Sequence, residues 1–211
     1  MDALIKVIFF DYDGVLTMDK TGSLTTHRYV SQAAGLSLAE VQAAFRRHNQ
    51  NLTLGKTTHA QVWPEVCEAL ACSVSLDMLL GAFESTPVNA AMFSLARRLK
   101  GNYALGIITD NKKDRIDHLK KHQGLELLFD PTVVSAEVGS SKEDPAIFRH
   151  ALRYLDVLPE ECVFIDNSRD NLIAPGALGM KTVFHDDEKN DVQALARTLS
   201  DSFGVVLSDA A

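Results

Sequence analysis

Ile5-Lys6-Val7-Ile8-Phe9-Phe10, running straight into Asp11-Tyr12-Asp13-Gly14, is the stretch that decides the fold. A continuous β-prone run of this kind describes a strand buried on both faces, as in a parallel sheet covered by helices. Comparable runs recur at Tyr103-Ala104-Leu105-Gly106-Ile107-Ile108, Thr132-Val133-Val134, Cys162-Val163-Phe164-Ile165 and Lys181-Thr182-Val183-Phe184. Helical segments alternate with these later strands. Thr86-Pro87 predicts the N-cap and first-turn proline of a helix that Gly101 stops, and Asp144-Pro145 does the same for a segment reaching Leu155. Asn171 to Leu178 ends at Gly179. Strands alternating with helices predict an α/β fold built on a doubly wound parallel, Rossmann-like sheet.

The interval from about Thr17 to Ser85 breaks this rhythm. It holds no convincing strand, but Ser37-Leu-Ala-Glu40 and Thr58-His-Ala-Gln61 both fit a capping box, and Ser75 can cap a helix through Met78, Leu79 and Phe83. The expected organisation is a small helical cap domain, residues 17–85, inserted after strand one of an α/β core formed by residues 1–16 and 86–211.

The chain has 211 residues, enough for one core with a small appended domain. Hydrophobic residues make up 46% and charged residues 23%, which excludes disorder, and the formal net charge is -7. No basic stripe accompanies that acidity, so nucleic acid is not an expected partner. Arg46-Arg47, Arg97-Arg98, Lys112-Lys113 and Lys120-Lys121 read as solvated helix faces. The apolar run at the start lacks a small-residue cleavage site, and no stretch is long enough to span a bilayer. Cys67, Cys72 and Cys162 form neither a metal pair nor a disulfide framework, and the seven histidines show no ligand spacing. These features together predict a cytoplasmic protein with reduced, buried thiols, no membrane partner, and a monomeric or homodimeric state.

In a doubly wound sheet ligands bind at the carboxyl ends of the strands. Strand one delivers Asp11 and Asp13 there, and residues two apart can face one cleft. One carboxylate can attack phosphorus while the other protonates a leaving group and later activates water. Taken alone, Asp-Gly after an apolar run is also a hairpin corner, but no returning strand follows. The next strand delivers Thr109, Asp110 and Asn111. The Thr109 hydroxyl and the N–H groups opening the next helix can hold phosphoryl oxygens, although Thr-Asp-Asn is equally an ordinary helix cap. Lys142 offers a point charge in what is otherwise a surface-loop sequence. Asp166 and Asn167, leaving an apolar strand, place oxygen ligands opposite Asp11, the donor type Mg²⁺ requires.

In order and position these residues resemble the motifs of the haloacid dehalogenase-like hydrolases, over nearly the whole chain. Asp11-Tyr-Asp13-Gly-Val-Leu-Thr17 resembles that family's first motif, Thr109 its second, Lys142-Glu-Asp-Pro-Ala-Ile-Phe148 its third and Asp166-Asn167-Ser-Arg-Asp170-Asn171 its fourth. Within it the chain is most similar to the small sugar-phosphate phosphatases and the β-phosphoglucomutase-like branch. The resemblance implies a Mg²⁺-dependent phosphomonoester hydrolase acting on a small phosphorylated metabolite, a sugar phosphate being expected. Asp11 would be nucleophile and metal ligand. Asp13 would be general acid/base, its backbone carbonyl also on the metal. Thr109, Asp110, Asn111 and Lys142 would bind the phosphoryl group, and Asp166 and Asn167 would complete the metal site. The carboxylate at Asp13 points to phosphate chemistry, because a halide leaving group needs no proton. Asn167 departs from the family's usual paired acids. The alternatives are a phosphoglucomutase-type phosphotransferase with the same residues, and a phosphometabolite-binding protein without turnover. A phosphorylated receiver domain fits less well, since its acceptor lies on a middle strand and no helical insert follows its first. For specificity the insert offers Lys20, Arg46, Arg47, His48, Gln50 and Lys56, while Trp63 reads as insert core.

Overall fold

The computed structural model describes residues 3–208. Five parallel strands form one sheet: β1 (Val7–Phe10), β2 (Ala104–Thr109), β3 (Thr132–Val134), β4 (Cys162–Asp166) and β5 (Lys181–Phe184). Their spatial order is β3-β2-β1-β4-β5, which puts the strand carrying Asp11 at the centre. Phe10 pairs with Ile107 on one side and Ile165 on the other, so Asp11, Thr109 and Asp166 leave three adjacent strands at nearly one level.

Alternation along β1 divides the apolar interior in two. Val7 and Phe9 pack with Ile108, Val133, Phe164, Ile147 and Phe148 on one face. Ile8 and Phe10 join Leu105, Ile107, Val163 and Ile165 on the other, in a cluster that continues through Tyr12 and Leu16 to Phe45, Trp63 and Phe83. All four β1 side chains are buried, as the unbroken apolar run requires.

Residues 17–85, between β1 and β2, hold five α-helices and no strand: α1 (Gly22–Ala34), α2 (Leu38–Arg46), α3 (Asn49–Thr53), α4 (His59–Ala69) and α5 (Met78–Glu84). Both capping boxes form, Ser37 with Glu40 and Thr58 with Gln61. Ser75 sits two residues ahead of the α5 cap, where its hydroxyl accepts from the Asp77 N–H. Trp63 is insert core, its indole N–H donating to the Val74 carbonyl at 2.7 Å. The chain enters and leaves the insert side by side, through a bridge between Thr17 and Val88 and a 2.8 Å bond from the Met18 N–H to the Pro87 carbonyl.

The remaining helices are α6 (Ala90–Lys100), α7 (Lys113–Gln123), α8 (Ser135–Val138), α9 (Pro145–Leu155), α10 (Ile173–Leu178) and α11 (Val192–Phe203). The helix expected to start at Thr86-Pro87 starts three residues later instead. Asn89 is its cap, its side chain accepting from the Met92 N–H, because residues 86–88 are held extended by the bridge at the base of the insert. Asp144 caps α9 with Pro145 in its first turn. The three thiols are unpaired, but only Cys162 is buried; Cys67, in the last turn of α4, and Cys72, just beyond its end, are half-buried.

Candidate active site

Asp11 begins the turn after β1. Its Oδ1 accepts from the Tyr12 N–H at 2.7 Å, which aims Oδ2 across the sheet edge. There the Lys142 ammonium lies 2.8 Å from Asp11 Oδ2 and 2.6 Å from Asp166 Oδ2, and all three side chains are at most 7% exposed. Burial works against the Lys142 charge, but the attraction of Asp11, Asp166 and Asp110 overrides it and holds the proton above the ordinary lysine range. The same burial raises the Asp11 carboxyl, against the pull of Lys142. Lys142 is held in place from below, since its backbone N–H donates to the Asp110 carboxylate at 3.0 Å.

Asp13 lines the same cleft but turns to a different partner. Both its oxygens accept from Arg115, Oδ2 from Nη1 and Oδ1 from Nη2, each at 2.9 Å. The Asn111 amide adds a third bond to Oδ2 at 2.7 Å. Arg115 is 1% exposed and also donates to the Thr86 hydroxyl at 3.1 Å. Its fork matches the carboxylate as a bidentate pair, the strongest form of this contact. Sequence reasoning missed Arg115. No local signal marked it, because its partner Asp13 lies 102 residues away in the chain.

Asp11, Asp13, Thr109, Asp110, Asn111, Lys142 and Asn167 all border one cleft of about 440 Å³. Asp166 lies beneath it, fully buried, with Oδ1 also accepting from the Ser168 N–H at 2.7 Å and the Asn171 amide at 3.1 Å. The Thr109 hydroxyl accepts from Asn111 at 3.3 Å, which leaves its hydrogen for a ligand. The Asp110 and Asn111 side chains are spent on Lys142 and Asp13, so their part in the site is to position those two groups. Asn167 makes no hydrogen bond among the described residues, and its amide lies directly over Gly14. A Cβ at Gly14 would come within 2.2 Å of Asn167 Nδ2, and the φ of +78° there favours glycine in any case.

The opposite wall comes from the insert. Lys20, Thr21, Gly22, Ser23, Asn49 and Thr53 face the cleft, with Lys112 rising between them and the sheet edge. Lys112 Nζ donates to Ser23 Oγ at 2.9 Å, and burial, with Arg115 nearby, pulls its ammonium down to about 8. Of the six insert residues expected to set specificity, Lys20 alone borders this cleft. Arg47 pairs with Glu65 and bonds His48 instead, and Arg46 borders a separate groove. The α3 turn does approach the sheet edge, with the Ser135 hydroxyl donating to the Thr53 carbonyl at 2.7 Å. Away from the cleft, His118 and His122 stand one turn apart on α7 beside Glu84, with ligand atoms within 4.8 Å of one another. That i, i+4 spacing is a histidine pattern the sequence reading passed over. No helix among the described residues is long and apolar enough to cross a membrane.

The oxygen set formed by Asp11, Asp13, Asp166 and Asn167 is the donor chemistry of a hard divalent cation, and the unpartnered Asn167 amide leaves one such donor free. With a carboxylate at the centre, a lysine between two acids and a free hydroxyl, the cleft has the parts to accept and transfer an anionic group.

The chain resembles known proteins in fold and in sequence. Across the described fold, the chain superimposes on a predicted haloacid dehalogenase-like hydrolase from Porphyromonas gingivalis with a TM-score of 0.72 at 22% identity, covering 93% of this chain and 98% of that one. It is 27% identical to rat bifunctional epoxide hydrolase 2 over 94% of its length, and that match takes in 40% of the rat protein. A glyceraldehyde 3-phosphate phosphatase of Pyrococcus furiosus is 35% identical over 46% of this chain and 41% of its own. The chain thus spans about two fifths of the length of the first curated relatives it matches. The family model for haloacid dehalogenase-like hydrolases matches residues 5–179, from the first residue of the β1 run to the glycine closing α10, and the chain belongs to that family.

Proposed function

We propose that this protein hydrolyses phosphomonoesters of small hydrophilic metabolites through an aspartyl-phosphate on Asp11. The observation that carries the reading is Lys142, held between Asp11 and Asp166 at the floor of the cleft. A buried ammonium in that place fixes the attacking oxygen and offsets charge gathering on a transferring phosphoryl group. Asp11 Oδ2 attacks phosphorus, and the bond from phosphorus to the ester oxygen breaks as the leaving alkoxide takes a proton from Asp13. Water then attacks the phosphorus of the aspartyl-phosphate as Asp13 accepts its proton, and the bond from phosphorus to Asp11 Oδ2 breaks, freeing the Asp11 carboxylate and inorganic phosphate. Both Asp13 oxygens are engaged by Arg115, so proton delivery calls for Asp13 to rotate off that fork. Thr109 holds a phosphoryl oxygen through its free hydrogen.

Two Bacteroides thetaiotaomicron family structures contain magnesium and inorganic phosphate, and the oxygen donors here fit the same ion. Mg²⁺ held by Asp11, the Asp13 carbonyl, Asp166 and Asn167 would supply Lewis-acid polarisation of the phosphoryl oxygens. The residues 17–85 act as the cap that closes the cleft and selects the substrate. Among relatives, a pyrophosphatase of Bacillus velezensis and the glyceraldehyde 3-phosphate phosphatase of Pyrococcus furiosus support phosphoryl transfer to water, the latter from a phosphate ester. Purified protein should release p-nitrophenolate from p-nitrophenyl phosphate with Mg²⁺, and Asp11→Asn should abolish it. Turnover retained in Asp11→Asn would refute the assignment.

A further inference from the structure

Glu84, His118 and His122 stand together where the insert rejoins the core. Glu84 is the last residue of α5, in the insert, and the two histidines lie one turn apart on α7, in the core. Residues four apart on a helix share a face, so both imidazoles reach the same carboxylate. His118 Nε2 is 3.0 Å from Glu84 Oε1, and His122 Nδ1 is 3.7 Å from that same oxygen. The two rings are nearly parallel, at 14° with centroids 5.9 Å apart, and Phe83 packs against His118 with ring centroids at 6.2 Å. Among the described residues neither ring has a hydrogen bond to any other group.

Two imidazole nitrogens converging with one carboxylate oxygen make a donor set unlike the oxygen set of the cleft. Imidazole suits zinc, nickel and copper, whereas oxygen donors suit magnesium. The spacing fits as well. Ligands about 2.0–2.1 Å from a tetrahedral zinc stand roughly 3.4 Å from one another. The contacts at 3.0 and 3.7 Å lie on either side of that value. All three ligand atoms fall within 4.8 Å of one another, so a rotation of the exposed His122 ring brings the two nitrogens to the same spacing. The nearby acids are taken up elsewhere, since Asp117 and Glu137 both pair with Lys113. Three protein ligands leave the fourth position to water, as in open zinc sites.

We propose that Glu84, His118 and His122 form a second metal site, for a divalent transition ion of the zinc type, that fastens the insert to the core. The site is independent of the phosphatase reading, because none of the three residues borders the cleft. Its place still matters to the cleft. Arg115, which holds Asp13, lies on α7 one turn before His118, and its partner Thr86 is two residues beyond Glu84. An ion bound here ties together the two segments that position the Arg115 fork.

Zinc chloride titrated calorimetrically into the protein under excess Mg²⁺ tests this. One equivalent should bind. His118→Gln and His122→Gln should each weaken that binding by about tenfold or more, since even the groups behind a metal ligand are worth that much. Glu84→Gln keeps both rings and should weaken it too. Zinc should also raise the thermal midpoint of wild type but not of the two histidine variants. His150→Gln, a change at an exposed histidine on α9, should behave as wild type in both measurements. Absence of zinc binding in wild type would overturn the proposal, as would binding that survives the His118 and His122 substitutions. An equal loss in His150→Gln would overturn it as well, because the zinc would then be held by surface histidines at large.

Discussion

Replacing Arg115 by methionine removes two of the three hydrogen bonds that hold Asp13 and leaves its carboxylate with the Asn111 amide alone. Asp13 is 8% exposed and Arg115 1%, so water reaches Asp13 only from the cleft side and replaces little of the loss. At a charge separation of about 4 Å and an effective dielectric near 20, the lost attraction is about 4 kcal/mol. Stranding one member of a buried pair costs about 3–5 kcal/mol by mutational precedent, so the two routes agree. For a chain of this size each kcal/mol moves the midpoint by roughly 2–4 °C, which predicts a fall of about 6–20 °C in Tm. Thermal unfolding followed by circular dichroism measures it. The Asp13→Leu/Arg115→Met double variant separates the pair from the packing, since it strands neither charge. Its destabilisation should fall short of the sum of the singles by at least about 1 kcal/mol. An Arg115→Met midpoint within about 2 °C of wild type, or additive effects in the cycle, would refute the pairing as a source of stability.

Exhaustive chelation should eliminate phosphatase activity and Mg²⁺ should restore it; undiminished turnover after chelation would contradict the metal requirement. Asn167→Asp places a charge where a neutral amide now lies, and should lower the Mg²⁺ concentration giving half-maximal activity, while an unchanged or higher requirement would mean Asn167 does not face the ion. Stability should also carry a histidine signature. Burial, with the Lys112 and His59 charges, pulls His27 down to about 4 from 6.5, and its ring packs 4.9 Å from Phe45. Below 6.5 the unfolded chain takes up a proton that the folded one refuses, so stability falls as the pH drops from 6.5 to 4 and levels off beneath. Because His27 is only half-buried, the loss is at most about 2 kcal/mol. His27→Gln should flatten that part of the profile, and an identical slope in the variant would exclude His27 as its source.

The sheet was legible because each strand announces itself twice, by an apolar run and by polar residues where the run stops. Asp11, Thr109 and Asp166 could be placed on one edge from that pattern alone, and parallel pairing levels them as expected. Lys142 was harder, since a short helix, α8, intervenes between β3 and its loop, yet its order along the chain sufficed. What the chain could not announce were contacts between segments distant in sequence. The Arg115 fork on Asp13 spans 102 residues, and the Lys112 bond to Ser23 spans 89. Neither leaves a local pattern, because each depends on how the insert folds back over the sheet. The same cause explains the insert wall. Thr21, Ser23 and Asn49 are unremarkable helix-start residues in sequence and Thr53 an equally ordinary helix end, while the long cations Arg46 and Arg47 that looked better suited to a ligand lie outside this cleft.

The central claim is the covalent step at Asp11, and it can be trapped directly. Asp13→Asn weakens the general acid/base by about 10²–10⁴-fold on ordinary esters, but a leaving group as good as p-nitrophenolate needs little protonation. With that ester the variant should release a burst of p-nitrophenolate and then stall as the phosphorylated enzyme. Acid quench during the stall, borohydride reduction and peptide mass spectrometry should find homoserine at position 11. A burst of one equivalent with Asp11 unmodified, or with the label on another residue, would contradict the account.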